Sequence, residues 1–361
     1  MNNTLLKRTL KPKTSDIPRY PPSVGDEPGP RWEWPTHVMW DARGLWSTDC
    51  HVQLRLACEP RETPLVLPRP TMLKVYKVAG KRLVEWHSNA GRQIAVFGNS
   101  KLSTTTTRET WQVWEPGDGP VINLDPAKVR AHGATLLGHA SRDEAHVNLR
   151  MVRVHDGLGI VTDGHRMALR DLGASGETKI DVRAWAVLLK VLKWHRSADR
   201  ITVCTGETYT RVTVAEGANC VADITFATVE STFPPYMQIV PRAEPAWSCT
   251  SDAWQQALGD LSLVDDVKAR IVPVGHNVVV RADDPGYEEV QAFVGPRDGE
   301  GDFAVCVNRD YLAEALAASN QCVQCRTPTK GYLGQICPEP ITVPGPGPRD
   351  LIVIMPLRDH P

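Results

Sequence analysis

Thr162-Asp163-Gly164-His165-Arg166-Met167-Ala168-Leu169 joins two apolar runs. Leu158 to Val161 enter the stretch, and Met167, Ala168 and Leu169 leave it. An Asp-Gly pair between apolar segments predicts a β-hairpin, because glycine accepts the positive φ that a tight reversal needs. The turn also sets an acid, Asp163, two residues from an imidazole, His165, which invites a catalytic reading. Two side chains that close on a turn need not converge, and no G-x-S-x-G or similar nucleophile motif accompanies them. A hydrolase centred on Asp163 and His165 therefore stands behind a structural or binding role.

Around this hairpin the chain has 361 residues, enough for two or three domains with buried cores. Apolar residues make up 42% and charged ones 23%, the composition of a soluble globular protein. Lys plus Arg (41) and Asp plus Glu (42) nearly cancel, so any nucleic-acid contact has to come from local clusters. No apolar run is long enough to span a membrane, and the N-terminus has no signal-peptide core. Nine cysteines without a secretory signal imply reduced thiols and a cytoplasmic protein. Cys322-x-x-Cys325, with Cys306 and Cys337 in the same third of the chain, lacks a second well-spaced Cys/His pair and predicts free thiols, not a metal site. No P-loop or Rossmann glycine pattern opens a helix, and no cofactor is expected.

The first 35 residues carry seven prolines and read as an extended leader. Beyond them the chain alternates strands with single helices, an α+β pattern. Pro70 predicts the first turn of a helix over 71–78, with Gly80 as its stop. Asp125-Pro126 predicts a capped helix running toward Leu137. Trp185, Leu188, Leu189 and Leu192 mark one face of a helix over 184–195. Ser251 or Asp252 predicts the cap of a helix bearing Trp254, Leu258 and Leu261, and Asn308 that of a helix bearing Tyr311, Leu312, Ala315 and Leu316.

These elements repeat. An aspartate after the mid-segment strand recurs as Asp49, Asp163 and Asp283, each followed by a strand, a loop and an amphipathic helix starting near Pro70, Arg183 or Arg309. The interval is far longer than a solenoid period of roughly 20–50 residues. It predicts one domain type used three times: 36–120, 121–242 and 243–361, after the leader 1–35.

Three motifs then carry a resemblance. Thr162-Asp163-Gly164-His165-Arg166, the stretch Phe233-Pro234-Pro235-Tyr236 through Pro241, and Val353-Ile354-Met355-Pro356-Leu357-Arg358 occur in this order. Together they resemble the central hairpin, the end of the middle domain and the C-terminal strand of the bacterial sliding clamp, the β subunit of the replicative DNA polymerase III. The resemblance covers about residues 36–361. The chain departs from the family in its leader, in the Arg142-Asp143-Glu144-Ala145-His146 loop and in the threonine-rich strand at Leu102 to Thr107, as a divergent member would.

The resemblance implies a non-enzymatic processivity factor of DNA replication, three clamp-type domains per chain, with two chains closing a six-domain ring around duplex DNA without reading its sequence. Polymerase catalytic subunits and clamp loaders would dock through short extended peptides in a groove formed by Val147, Thr162, Gly164, His165, Arg166, Met167, Pro241, Val353, Met355, Pro356 and Leu357. Lys74, Lys77 and Lys81 on one helix, and Lys190, Lys193 and Arg196 on another, would face DNA; alone, such runs are commonly just solvated faces. A head-to-tail homodimer would join the strand at Leu102 to the helix end at Leu261. The alternative within the same class is a clamp-like decoy or regulator that binds the same peptides without closing a ring.

Overall fold

The computed structural model describes residues 37–48, 51–58, 65–79, 84–89, 92–97, 99–105, 113–115, 117–264, 267–282, 290–319, 321–330, 336–337 and 339–357. The proline-rich leader, Asp49, Lys81, Asp283 and Arg358 lie outside them. The described residues fall into two compact units. One is drawn from residues up to Val121 and from Ala186–Thr228, the other from Ile122–Trp185 and from Val229 onward. This grouping cuts across the middle sequence segment, because sheets rather than chain order decide which strands belong together.

In the first unit, antiparallel strands run in the order Leu65–Pro68, His37–Asp41, Gly44–Thr48, Val52–Leu56, Asn219–Ala227, Tyr209–Glu216 and Arg200–Thr205. Val52–Leu56 joins strands distant in sequence, with Leu54 opposite Ile224, and beside it Arg55 Nε donates to Asp223 at 2.7 Å. The strand Asn219–Ala227 had no counterpart in the sequence reading, although Ala222, Ile224 and Phe226 are buried at every second position. The helix Arg69–Ala79 buries Met72 and Val75 against Trp40, Leu65, Leu67 and Phe97. A separate sheet of Glu85–Asn89, Arg92–Phe97 and Ser100–Thr105 completes the unit.

The second unit holds the hairpin. Its larger sheet runs in the order Thr178–Asp181, Met151–His155, Leu158–Thr162, Arg166–Asp171, Leu351–Ile354, Ile341–Pro344, Cys322–Cys325, Trp247–Thr250 and Asp298–Gly299. The hairpin strand Arg166–Asp171 thus pairs with the C-terminal strand, Met167 opposite Val353 and Ala168 opposite Ile352. Residues from the middle and the end of the sequence are adjacent here. A four-stranded sheet, Val290–Pro296, Asn277–Ala282, Lys268–Val274 and Val305–Asn308, lies in the same unit.

Two of the three predicted caps form, at Asp125 and Asn308; helix Trp254–Asp260 starts after Ala253 with no side-chain cap. Asp125 Oδ1 accepts from Ala127 N at 2.8 Å at the start of helix Pro126–His139, and Asn308 Oδ1 accepts from Asp310 N at 2.9 Å before Arg309–Ala317. Ser251 Oγ accepts from Ala253 N at 3.1 Å before Trp254–Asp260, which tightens into a 3-10 turn over Leu261–Leu263. Helix Val182–Trp194 buries Trp185, Leu188 and Leu192. Among the described residues no helix is long and apolar enough to cross a membrane.

Candidate functional site

Asp163, Gly164 and His165 close the hairpin, and Gly164 sits at φ +94°, as the Asp-Gly signal requires. Polar groups hold the reversal. Thr162 Oγ1 donates to Arg166 O at 2.7 Å, while Asp163 Oδ1 accepts from the backbone N–H groups of His165 (2.9 Å) and Arg166 (3.0 Å). Asp163 Oδ2 accepts from Arg166 Nε at 3.0 Å. The Asp163 carboxylate is therefore committed to the turn, and the His165 ring lies beside Tyr311 at 6.4 Å. Nothing in this arrangement makes the two a catalytic dyad. Among the described residues no His, Cys, Asp or Glu cluster could hold a metal ion.

Arg166 is buried and fully engaged. Nη1 donates to Glu314 Oε2 at 2.5 Å, Nη2 to Gly138 O at 3.0 Å, and the guanidinium lies 4.3 Å from the centre of the Tyr311 ring. It ties the hairpin to the end of helix Pro126–His139 and to the body of helix Arg309–Ala317, a use for which no local sequence signal exists. In the same region the His139 ring is buried, with Nδ1 2.8 Å from Thr135 O. Burial, aided by the charges of Arg166 and Arg170, lowers its pKa to about 4, so the ring is neutral at pH 7.

Beside the hairpin opens an apolar chamber of about 230 Å³ lined by Leu149, Thr162, Gly164, Arg166, Met167, Val353 and Met355, and by Asn148, Pro234 and Ile239. A second chamber of about 420 Å³, lined by Met237 to Arg242, Glu339, Pro340 and Met355, shares Ile239 and Met355 with the first. Together they have the size of a small-ligand or peptide site, roughly 300–1,000 Å³. The wall from Pro234 to Pro241 is pinned by its aromatic residues. Phe233 and Tyr236 pack edge to face at 6.5 Å in a core with Met151, Ile160, Met167 and Val353. The Tyr236 hydroxyl meets His155 Nδ1 at 3.1 Å, and Lys179 Nζ donates to Ser231 O at 2.9 Å.

Of the residues expected to form a groove, Thr162, Gly164, Arg166, Met167, Val353 and Met355 meet in the first chamber, and Pro241 lines the second. Val147 does not line either; the 3-10 turn Val147–Leu149 leaves it 59% exposed and turns Leu149 inward. His165 is exposed on the turn, and neither it, Pro356 nor Leu357 lines a chamber. Leu357 N instead donates to Cys306 O at 2.8 Å. Asn148, Leu149, Pro234 and Ile239 are the lining residues the sequence reading lacked.

Lys74, Lys77, Lys190, Lys193 and Arg196 are all exposed in the first unit, with Arg196 just beyond its helix. Arg309, on the last helix, is spent on the carbonyls of Leu261 (3.0 Å) and Val264 (3.2 Å). The two residues expected at a dimer seam are turned inward. Leu102 is half-buried against the core of the first unit, and Leu261 is completely buried in the second. The exposed apolar side chain at that helix end is Leu263, 85% accessible.

This architecture matches known structures over nearly its whole length. The DNA polymerase III β subunit of Thermotoga maritima superposes with a TM-score of 0.76 at 15% identity, covering 100% of this chain and 99% of that one. The chain has the sliding-clamp fold. A sliding clamp of Bartonella birtlesii bound to griselimycin gives a TM-score of 0.79 at 15% identity, covering 99% and 98% of the two chains. A putative DNA polymerase III β subunit of Eubacterium rectale gives 0.79 at 9% identity, covering 99% and 97%. No protein-family model and no curated protein matches this sequence. The sliding-clamp fold is thus carried here by a divergent sequence, with hairpin, Phe-Pro-Pro-Tyr segment and C-terminal strand side by side.

Proposed function

We propose that the protein is a non-enzymatic sliding clamp, a cytoplasmic processivity factor of DNA replication that encircles duplex DNA and tethers its polymerase and loader through short extended peptides. The observation that carries this reading is the two-chambered groove beside the hairpin, on a chain with the clamp fold end to end. An apolar first chamber suits a leucine or phenylalanine side chain. The second adds Gln238, Arg242 and Glu339 to Met237 and Met355, which suits the amide and backbone groups of an extended peptide.

DNA would be held loosely. Exposed Lys74, Lys77, Lys190, Lys193 and Arg196 carry no ion pair among the described residues, and their charge attracts phosphates without reading bases. Three repeated domains per chain, 36–120, 121–242 and 243–361, would be doubled to make a ring. Each unit supports closure by itself, since strands Ser100–Thr105 and Val290–Pro296 are sheet edges among the described residues. Phe293 on the second edge is 60% exposed, and that strand packs beside the Leu261–Leu263 turn. A head-to-tail contact would cover both edges.

Light scattering tests closure. The 39.9 kDa chain should run at twice its mass; a monomer at all workable concentrations would leave the decoy reading, with peptide binding but no ring. Calorimetry tests the groove: Met355→Ala should weaken a peptide carrying glutamine and leucine or phenylalanine by about 1–3 kcal/mol without changing the oligomer. Unchanged affinity would place the peptide site elsewhere.

A further inference from the structure

The groove is bordered by the residue type that peroxides oxidise most readily after cysteine. Six methionines lie among the described residues. Met39, Met72, Met151 and Met167 are buried, whereas Met237 and Met355 are 54% and 38% exposed. Both exposed ones line the groove, and Met355 borders the two chambers at once. Its backbone N–H donates to His165 O at 2.9 Å, which fixes the main chain from which the side chain reaches both chambers.

We propose that Met355 is an oxidant-sensitive modification site, and that its sulfoxide closes the groove to apolar peptide side chains; this rests on the groove's being the peptide site. In the reaction the thioether sulfur attacks hydrogen peroxide. An S–O bond forms as the O–O bond breaks, hydroxide leaves and takes up a proton, and methionine is oxidised by two electrons while peroxide becomes water. The product replaces a polarizable apolar group by a strong dipole. Leu149, Met167, Ile239 and Val353 offer that dipole no donor, so turned into the first chamber it would meet a bound leucine or phenylalanine, and turned toward Asn148, Gln238 or Arg242 it would occupy polar groups open to the peptide. The change is reversible, since methionine sulfoxide reductases return the thioether at the expense of thiols.

The test uses the full chain, graded hydrogen peroxide, site-resolved mass spectrometry and the anisotropy of a labelled peptide carrying glutamine, leucine and phenylalanine. Met237 and Met355 should oxidise ahead of the four buried methionines. Peptide affinity should fall roughly tenfold or more in step with the Met355 sulfoxide, and reductase with dithiothreitol should restore it. Met355→Leu, whatever its starting affinity, should hold that affinity through the treatment, while Met237→Leu should remain sensitive. Full Met355 sulfoxide with unchanged affinity, or an equal loss in Met355→Leu, overturns the proposal and leaves the groove standing. An untreated protein that does not bind the peptide overturns the groove reading and this inference with it.

Discussion

Arg166→Ala should cost the second unit about 3–5 kcal/mol, the scale of removing one partner from a buried charged network. The loss has identifiable parts. Bonds from the buried guanidinium to Asp163 Oδ2 and to Gly138 O, both 3.0 Å, are worth roughly 1.5–3 kcal/mol each when the donor is charged. Contact with the Tyr311 ring at 4.3 Å adds about 0.5–2 kcal/mol. Asp163 keeps two backbone donors after the substitution, which holds the total below the plain sum. The Glu314 pair contributes least, because that carboxylate is 58% exposed; Glu314→Gln should cost under about 1 kcal/mol. Urea unfolding would measure both variants, with hydrogen exchange over helix Arg309–Ala317 localising the loss. Arg166→Lys should fall between wild type and alanine, since an ammonium cannot reach three partners in the plane of a fork. An Arg166→Ala protein within about 1 kcal/mol of wild type, or a Glu314→Gln as damaging as it, would refute this account.

Gly164→Ala should lower stability by about 1–2 kcal/mol in thermal melts through its φ of +94° alone, because an added Cβ would meet only Leu149 Cδ1 at 3.8 Å. Leu263→Asp should shift the solution mass toward the monomer without unfolding the chain, since Leu263 is exposed and Leu261 alone is packed inside; a dimer unaffected by it would move the seam elsewhere. His139 gives a pH signature. Its folded pKa is depressed from 6.5 to about 4, so the unfolded chain binds the proton first; stability is full above pH 6.5 and falls by about 3 kcal/mol as pH drops to 4. His139→Leu should flatten that slope between pH 4 and 6.5, and an unchanged slope would assign the acid sensitivity to other groups.

What the sequence made legible was local. Asp125-Pro126 and Asn308 announce their helices because a cap is a contact within three residues. The Asp-Gly signal found the hairpin because positive φ at Gly164 is a property of one residue. Pairings made across the chain left no such mark. Nothing in Val52–Leu56 says that it will join Asn219–Ala227, where Ala222, Ile224 and Phe226 alternate with Asp223 and Thr225, and Asp223 meets Arg55. Leu261, expected at a dimer seam, is buried because the 3-10 turn after Asp260 turns it inward and leaves Leu263 exposed. The Val147 and Leu149 exchange has the same cause, a 3-10 turn that no apolar spacing foretold.

Arg166 shows why motif and role need separate arguments. Beside His165 on an exposed-looking turn, its charge suggests a hand held out to a ligand. Its three nitrogens are instead bonded to Asp163, Glu314 and Gly138 O, and its face is covered by Tyr311. The chamber it borders is then largely apolar, so under the proposed function it would select a peptide side chain by size and hydrophobicity rather than by charge. Discrimination among such a peptide's polar groups would fall to the second chamber, where Arg242 is exposed on the rim and Gln238 and Glu339 stand in the same wall. A peptide binding both chambers must pass Met355. With Ile239, that side chain borders both chambers, so on the proposed reading a change in its polarity would be felt in each.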